Sequence, residues 1–291
     1  MAVANITEVS NDVTVGNVLA SIVAPPFVKA SVGLNSLYRE ELPPQGQSAV
    51  KKFVKDGSLT AAALAESTAL AIGANGELTR TSADATAAKC AVVSGLSVEG
   101  ERFSNIDTNK LAEAAGSAIG RLVSNDLIGM ASGFSNGVTC SSVATISDLL
   151  TALFTIQNAN CPNQEVLPHF ICNPRSGRAL KAELITSGAS AFTNPGMLQV
   201  LTGLPSDGGY IGQIPGICEV YQTTGFAATG GDDQQPFVHP MWGLAGIFDS
   251  APITWQAKKG SEGLYTELAT YYFYDIIEYN DAAGVNFRSD T

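Results

Sequence analysis

The sequence predicts an α+β fold, on three observations. Runs with helical spacing and runs of strand-forming composition share the chain without the regular rhythm of βαβ units. Asn75-Gly76, the two-residue signal of a type I′ turn, sits between two stretches of small, β-compatible residues. The chain finishes on LYTELATYYFYDIIEY (264–279), dense in the aromatic and β-branched residues that favour strands. At 291 residues and 45% apolar, it can bury a sizeable core in one large or two modest domains. No internal repeat is visible.

From the N-terminus, residues 1–45 show little periodicity. Pro25-Pro26 and Pro43-Pro44 bias the backbone toward extended conformations, predicting an extended arm. Such an arm cannot cover its own Ile22, Val23, Phe27 and Val28, so it needs another surface to lie on. Residues 59–100 predict a long hairpin turned at Asn75-Gly76, with too few large apolar residues for a core of its own. Leu111, Ala115, Ile119, Leu122, Leu127 and Met130 then recur at helical spacing behind an N-cap at Asp107 or Thr108. They predict a long helix to about Ala131 with these residues on its buried stripe. A second helix is expected from Ser147 to a stop before Pro162. HFICNPRSGRALKAELITSG (169–188) reads as strand, N-cap Asn173, Pro174 at the first helical position and Gly188 closing the helix. Strands follow at about 216–224, 243–256 and 264–279, then a turn over Asp281–Gly284 into a final VNF.

Charge and cysteine content narrow the function. A net charge of −11 opposes a dedicated nucleic-acid binder, which needs a basic face; Lys51, Lys52 and Lys55 read as a solvated cluster. Only 15% of residues are charged, which suits a protein that hides much of its surface against neighbours. MAVANITEVS has neither the basic nor the apolar region of a secretion signal, and no run reaches the roughly 18 apolar residues of a membrane span. The expectation is a soluble protein made in a cytoplasm. Cys90, Cys140, Cys161, Cys172 and Cys218 are odd in number and scattered, which points to free thiols and not to a disulfide framework or zinc site.

Gly133-Phe134-Ser135-Asn136-Gly137 matches G-x-S-x-G, and Asp207, Asp232 or Asp233 precedes His239 in the chain order of a serine hydrolase triad. The context is wrong for a nucleophile elbow, because a helix precedes Ser135 and a β-like stretch follows it. The alternative is a helix C-terminus closed by Gly133 and a loop turned by Gly137. Asp232-Asp233 lies in ATGGDDQQP, read as a loop tip, a poor place from which to orient a base. His169 and His239, the only histidines, are each flanked by proline and read as packing residues. The pairs Glu40-Glu41 and Asp232-Asp233 read as solvated. Gly208-Gly209-Tyr210-Ile211-Gly212 lacks the lysine and the strand–turn–helix context of a phosphate loop. The residues therefore predict no catalyst, no metal and no cofactor.

The order of segments is more informative than any motif: extended arm, projecting hairpin, one long helix, a glycine-punctuated α/β middle and a β-rich finish. With FVKASVGLNSLY (27–38), HFICNPRSGRALKAEL (169–184), HPMWGLAGIFDSAPI (239–253) and TYYFYDIIEY (270–279), this order resembles the major capsid proteins of tailed bacteriophages, the HK97-like fold. The resemblance implies an N-terminal arm at 1–45 and an extended loop at 46–103, with its assembly tip at Asn75 and Gly76. It implies a peripheral domain with the spine helix at 104–139, an axial domain at 140–235, and a return to the peripheral domain at 236–291. The implied partners are copies of the chain in hexamers and pentamers, a separate scaffolding protein, a portal, decoration proteins where a head carries them, and packaged double-stranded DNA held by weak contacts. The implied location is the virion capsid, assembled in a host bacterial cytoplasm. Some relatives weld subunits through Lys–Asn isopeptide bonds; Lys51, Lys52, Lys55 and Lys89 and Asn280 and Asn286 are of the right types, but no motif aligns them. Two other classes stay open: a non-viral shell of the same fold enclosing an enzyme, and a serine hydrolase using Ser135 and His239.

Overall fold

The computed structural model describes residues 22–42, 49–56, 80–97, 99–100, 108–140, 143–158, 165–187, 207–226, 228–229, 232–259 and 265–290. The described chain opens with a helical stretch over 22–30 (α1) and strands β1 (Tyr38–Glu41), β2 (Val50–Asp56), β3 (Arg80–Thr86) and β4 (Ala88–Ser97). The long helix α2 (Thr108–Met130), β5 (Gly137–Cys140), α3 (Ile146–Asn158), β6 (His169–Cys172) and α4 (Pro174–Ser187) follow. The remainder is β7 (Tyr210–Ile214), β8 (Cys218–Gln222), β9 (Ala228–Thr229), β10 (Asp232–Val238), β11 (Leu244–Phe248), β12 (Ile253–Lys259), β13 (Tyr265–Glu278) and β14 (Gly284–Asp290).

Two large sheets and a two-stranded β2–β3 ladder organise these elements. In the first, β13 pairs along one edge with β4 and along the other with β12 and then β11, which carries β1. In the second the order is β5-β14-β10-β6-β8-β7, with β9 on β10. The helices α3 and α4 cover the second sheet around Leu149, Ile156, Phe170, Leu180, Phe237 and Phe287. Local chemistry sets their starts: Thr145 and Asp148 form a capping box, and Asn173 caps α4 by accepting from Ser176 N at 2.7 Å.

The first sheet depends on α2. Even-numbered residues of β13 point at the helix side, where Leu268, Tyr272, Tyr274 and Ile276 are buried. The helix answers with Ala112, Ala115, Ile119, Val123, Leu127 and Ile128. The segment α1 then lies directly on α2, because two helix glycines leave room for its backbone. A Cβ at Gly116 would sit 2.5 Å from the Val23 carbonyl oxygen, and one at Gly120 2.6 Å from that of Phe27. Ser124 ties down the end of α1: its buried hydroxyl accepts from Val32 N at 2.6 Å and donates to Ala30 O at 3.0 Å.

This packing corrects three expectations. Residues 22–30 are helical and not extended, and Val23 and Phe27 bury against the chain's own α2. The ring of proline holds φ near the helical value, so Pro25-Pro26 did not force extended backbone; packing decided. Leu122 lies 42% exposed, off the buried stripe, because the helix turns Gly116, Gly120 and Ser124 toward α1. The 243–256 strand is two strands, β11 and β12, parted by the turn Asp249-Ser250-Ala251-Pro252.

The hairpin expectation also changes. Asn75-Gly76 lies outside the described residues, but the ladder that should flank it is described. A two-residue turn there would pair Asp56 with residue 95, whereas β2 pairs Asp56 with Arg80. The 88–97 arm does not belong to that ladder; it is β4, hydrogen-bonded to β13 from Ser97↔Tyr265 to Ala88↔Tyr274. The 235/236 domain boundary falls inside β10, and β14 at the C-terminal end joins the sheet of the middle segment through Phe237↔Val285.

The glycine contact gives a paired prediction. Gly120→Ala raises intrinsic helix propensity by up to about 1 kcal/mol, yet its methyl meets backbone. It should lower Tm, with an overpacking cost of about 1–3 kcal/mol. Leu122→Asp should change stability by only about 0.5 kcal/mol. Thermal unfolding of both variants checks the helix face; the opposite order would mean α1 does not rest on α2.

Candidate assembly surfaces

The structure disposes of the elbow first. Ser135 follows a 3-10 turn at Ala131–Gly133 that continues α2, and strand β5 follows it, the reverse of the strand–turn–helix order a nucleophile needs. Its N–H and hydroxyl both donate to Asp281, the former at 2.6 Å, so a carboxylate and not an imidazole is its partner. Asp233 accepts from Asn173 Nδ2. It lies in strand β10 between β9 and β14, not at a loop tip, because Asp232 and Asp233 pair with Thr229 and Ala228. The Gly208-Gly209 run is a left-handed turn (φ 73° and 77°) into β7. Gly209 also leaves no room for a side chain: a Cβ there would sit 2.6 Å from Val32 Cγ1 and 2.7 Å from Gln222 O.

The two histidines meet. Val238 pairs with His169 across β10 and β6, which brings His239 beside it. His169 is buried, with Nδ1 3.1 Å from Ser36 Oγ, Nε2 3.4 Å from Glu219 and its ring on Tyr221 at 5.1 Å. Burial pulls its pKa down to about 4; Glu219 favours the proton but does not offset desolvation, and His239 opposes it. His239 is buried and its Nδ1 accepts from Met241 N at 3.3 Å. Both are packing residues, as their sequence context indicates. Cys90, Cys140, Cys172 and Cys218 are free; burial pushes the thiols of Cys140 and Cys172 up to about 12 and raises those of Cys90 and Cys218. Cys161 lies outside the described residues. Among the described residues, no group of three His, Cys, Asp or Glu could hold a metal ion, and no helix is long and apolar enough to cross a membrane.

What the geometry offers instead is surface. The β2–β3 ladder is pinned to the first sheet by Phe53 and Ala85, packed on Ala245 and Ile247. Lys51 pairs with Glu40, Lys55 donates to Asn280 Oδ1, and Tyr279 donates to Val54 O at 2.8 Å. Two weld candidates, Lys55 and Asn280, thus meet within one chain. Asn286 is buried inside β14, and Lys89 lies over the Tyr271 ring at 4.5 Å.

The ladder covers the outer face of the first sheet only at its β11 end. At the β4–β13–β12 end, no second layer among the described residues packs on that face. Ile253, Tyr271 and Ala91 form one cross-strand row, and Trp255, Ala269 and Val93 the next. Val93 is 62% and Trp255 47% exposed. A second ridge, Leu150 and Phe154 (63% exposed), runs one turn apart along the solvent side of α3. Sequence reasoning missed the exposed sheet face. The available signal was β13 itself, where Tyr271 and Phe273 alternate with Tyr272 and Tyr274, so both faces are aromatic and neither is made for water.

No protein-family model matches the chain, and a search of curated proteins finds no match. Solved structures do match it nearly end to end. The head of Helicobacter pylori bacteriophage KHP40 is 10% identical with a TM-score of 0.67, covering 91% of this chain and 90% of that one. The structure from Mycobacterium phage Che8 is 16% identical with a TM-score of 0.63, covering 88% and 90%. The SrpI encapsulin of Synechococcus elongatus is 10% identical with a TM-score of 0.58, covering 87% and 85%. The fold is the α+β, HK97-like shell fold.

The histidine pair yields a pH prediction. Folded His169 stays neutral down to about pH 4, while the unfolded chain takes the proton near 6.5. Between these values the unfolded state binds more protons, so stability should fall as pH falls from 6.5 toward 4. The urea midpoint of His169→Asn should fall less over that window than the parent's. Equal slopes would mean His169 is already charged in the fold.

Proposed function

We propose that this chain, with its HK97-like fold, is a major capsid protein of a tailed phage, self-assembling into the hexamers and pentamers of an icosahedral head around double-stranded DNA. One observation carries the reading: phage heads match the fold over about nine-tenths of both chains. The exposed faces agree with it. A Phe, Val or Ile side chain stabilises by about 1.5–3 kcal/mol when fully buried, and Phe154, Val93 and Ile253, like Trp255, obtain only part of such burial within one subunit. Contact with neighbouring copies supplies the missing cover, and closed rings of five and six follow from small hinge changes at such contacts.

In this reading the extended loop expected at 46–103 is the part of that segment before β4, its described base the β2–β3 ladder, with Asn75 and Gly76 in the part that reaches a neighbour. Scaffolding, portal and decoration proteins are its further partners. A net charge of −11 suits a container from which DNA must leave, since tight phosphate binding would hinder packaging and ejection. The subunit joins the virion after assembly in the host cytoplasm and needs no catalytic residue of its own.

A non-viral shell is the second reading, favoured by the encapsulin match. Electron microscopy of the purified protein, alone and co-expressed with its genomic neighbours, should reveal closed icosahedral particles. Nuclease-protected DNA inside supports the phage head, and a resident enzyme supports the compartment. A protein that stays monomeric under every condition overturns both. Val93→Lys should keep the circular dichroism and Tm of the parent while strongly reducing particle yield. Full yield would remove the exposed sheet face from the assembly contacts.

A further inference from the structure

The 3-10 turn Leu34–Ser36 leads into β1, and so into the first sheet, yet it is seated on β6 of the second. Residues 169 and 171, on one face of that strand, receive it. Gly33 lies against Ile171 with no room for a Cβ between them, and Ser36 Oγ is 3.1 Å from His169 Nδ1. Leu34 and Leu37 join Ile171 and Tyr221 in the apolar layer of this joint. Among the described residues, the ionisable groups around the imidazole come from three strands. Glu219 of β8 is 3.4 Å from Nε2, and Tyr221 of the same strand stacks on the ring and donates to Glu219 at 3.0 Å. His239 follows β10, and Tyr210 of β7 lies against Tyr221 at 5.4 Å. Burial and the Glu219 carboxylate raise the pKa of both phenols, so they stay neutral.

We infer that His169 is an acid-sensitive latch: neutral, it holds the 34–36 turn on β6, and protonated, it favours a locally open form in which the turn lifts and the imidazolium reaches water. His169 is only 7% exposed, so a charge there loses its hydration. Glu219 compensates in part, being itself about a third exposed, and the second imidazole opposes the charge. The element above it is the cheapest kind to move. A three-residue turn lies outside the strand ladders of the described residues, and such segments open at a small fraction of the global cost. Closed, His169 takes its proton at about pH 4, whereas in water it does so near 6.5. As pH falls between these values, the proton draws the equilibrium toward the open form. The inference goes beyond the shell reading and does not depend on it: it places a movable joint where the chain passes from α1 to the first sheet.

Hydrogen exchange of the full chain at about pH 7.5 and about pH 5, corrected for the intrinsic pH dependence of exchange, tests it. The reporter is the peptide carrying the Ser36 amide, which donates to Gly33 O at 2.8 Å. Its opening constant should rise about tenfold or more at the lower pH, while the amides of α2 from Ile119 to Leu127 keep theirs. His169→Gln, which retains a hydrogen-bonding group but cannot take the proton, should abolish the rise. Ser36→Ala keeps the histidine but cuts the tie, and should open the turn at the higher pH as well. Equal rises in the turn and in α2 would make the effect global unfolding and overturn the inference. So would a rise that persists in His169→Gln, or a turn in Ser36→Ala as closed as the parent's.

Discussion

The architecture depends on the approach of α1 to α2 at backbone distance. Gly116 and Gly120 remove the two side chains that would keep the helices apart, and Ser124 supplies the hydrogen bonds that end α1 and start its exit toward β1. A helix that admits a backbone on one face and a sheet on the other is committed on both sides. Phe27 reaches past α2 to Tyr272 at 4.8 Å, and Tyr274 donates to Asp126 of α2, so helix pair and sheet lock together. The rest of the first sheet is hung on this block: β4 and β12 through β13, and the β2–β3 ladder through β11.

That arrangement has a cost in coverage. With both helices on one side, the outer face of the first sheet is shielded, among the described residues, by the chain's own ladder, which packs on Ala245, Ile247, Ile277 and Tyr279. Among the described residues the β4–β13–β12 end keeps Val93, Trp255 and Ile253 exposed. In a protein meant to stay alone, alternate residues there would be polar. The exposed aromatic and branched side chains fit a subunit completed by its neighbours, and the low content of charged residues fits the same economy of surface.

The groups that could suggest an enzyme make contacts that tie the fold together. Ser135 and Asp281 brace the end of α2 against the 3-10 turn before β14. His169 bridges the 34–36 turn to β8 through Ser36 and Glu219. Three of the four described cysteines are buried and protonated within the second sheet and its helices. Each contact joins segments distant in the chain, a structural use of polar chemistry.

The α+β class, the span of α2, the Asn173 cap of α4 and the strand at 264–279 were legible from residues alone, because capping, periodicity and β propensity act within a few residues. So was the helix-then-strand order around G-x-S-x-G, the reverse of a nucleophile elbow's. The tertiary structure alone decided which face of α2 is buried, since Leu122 and Val123 are equally apolar and only the glycine seat of α1 chooses between them. It decided that residues 22–30 coil, since a proline-containing segment fits a helix as well as an arm until a partner is present. It also decided that 88–97 leaves the hairpin to pair with β13. Local sequence sets what a segment can form; which partner it meets is set by contacts between residues far apart, and these are absent from any short stretch.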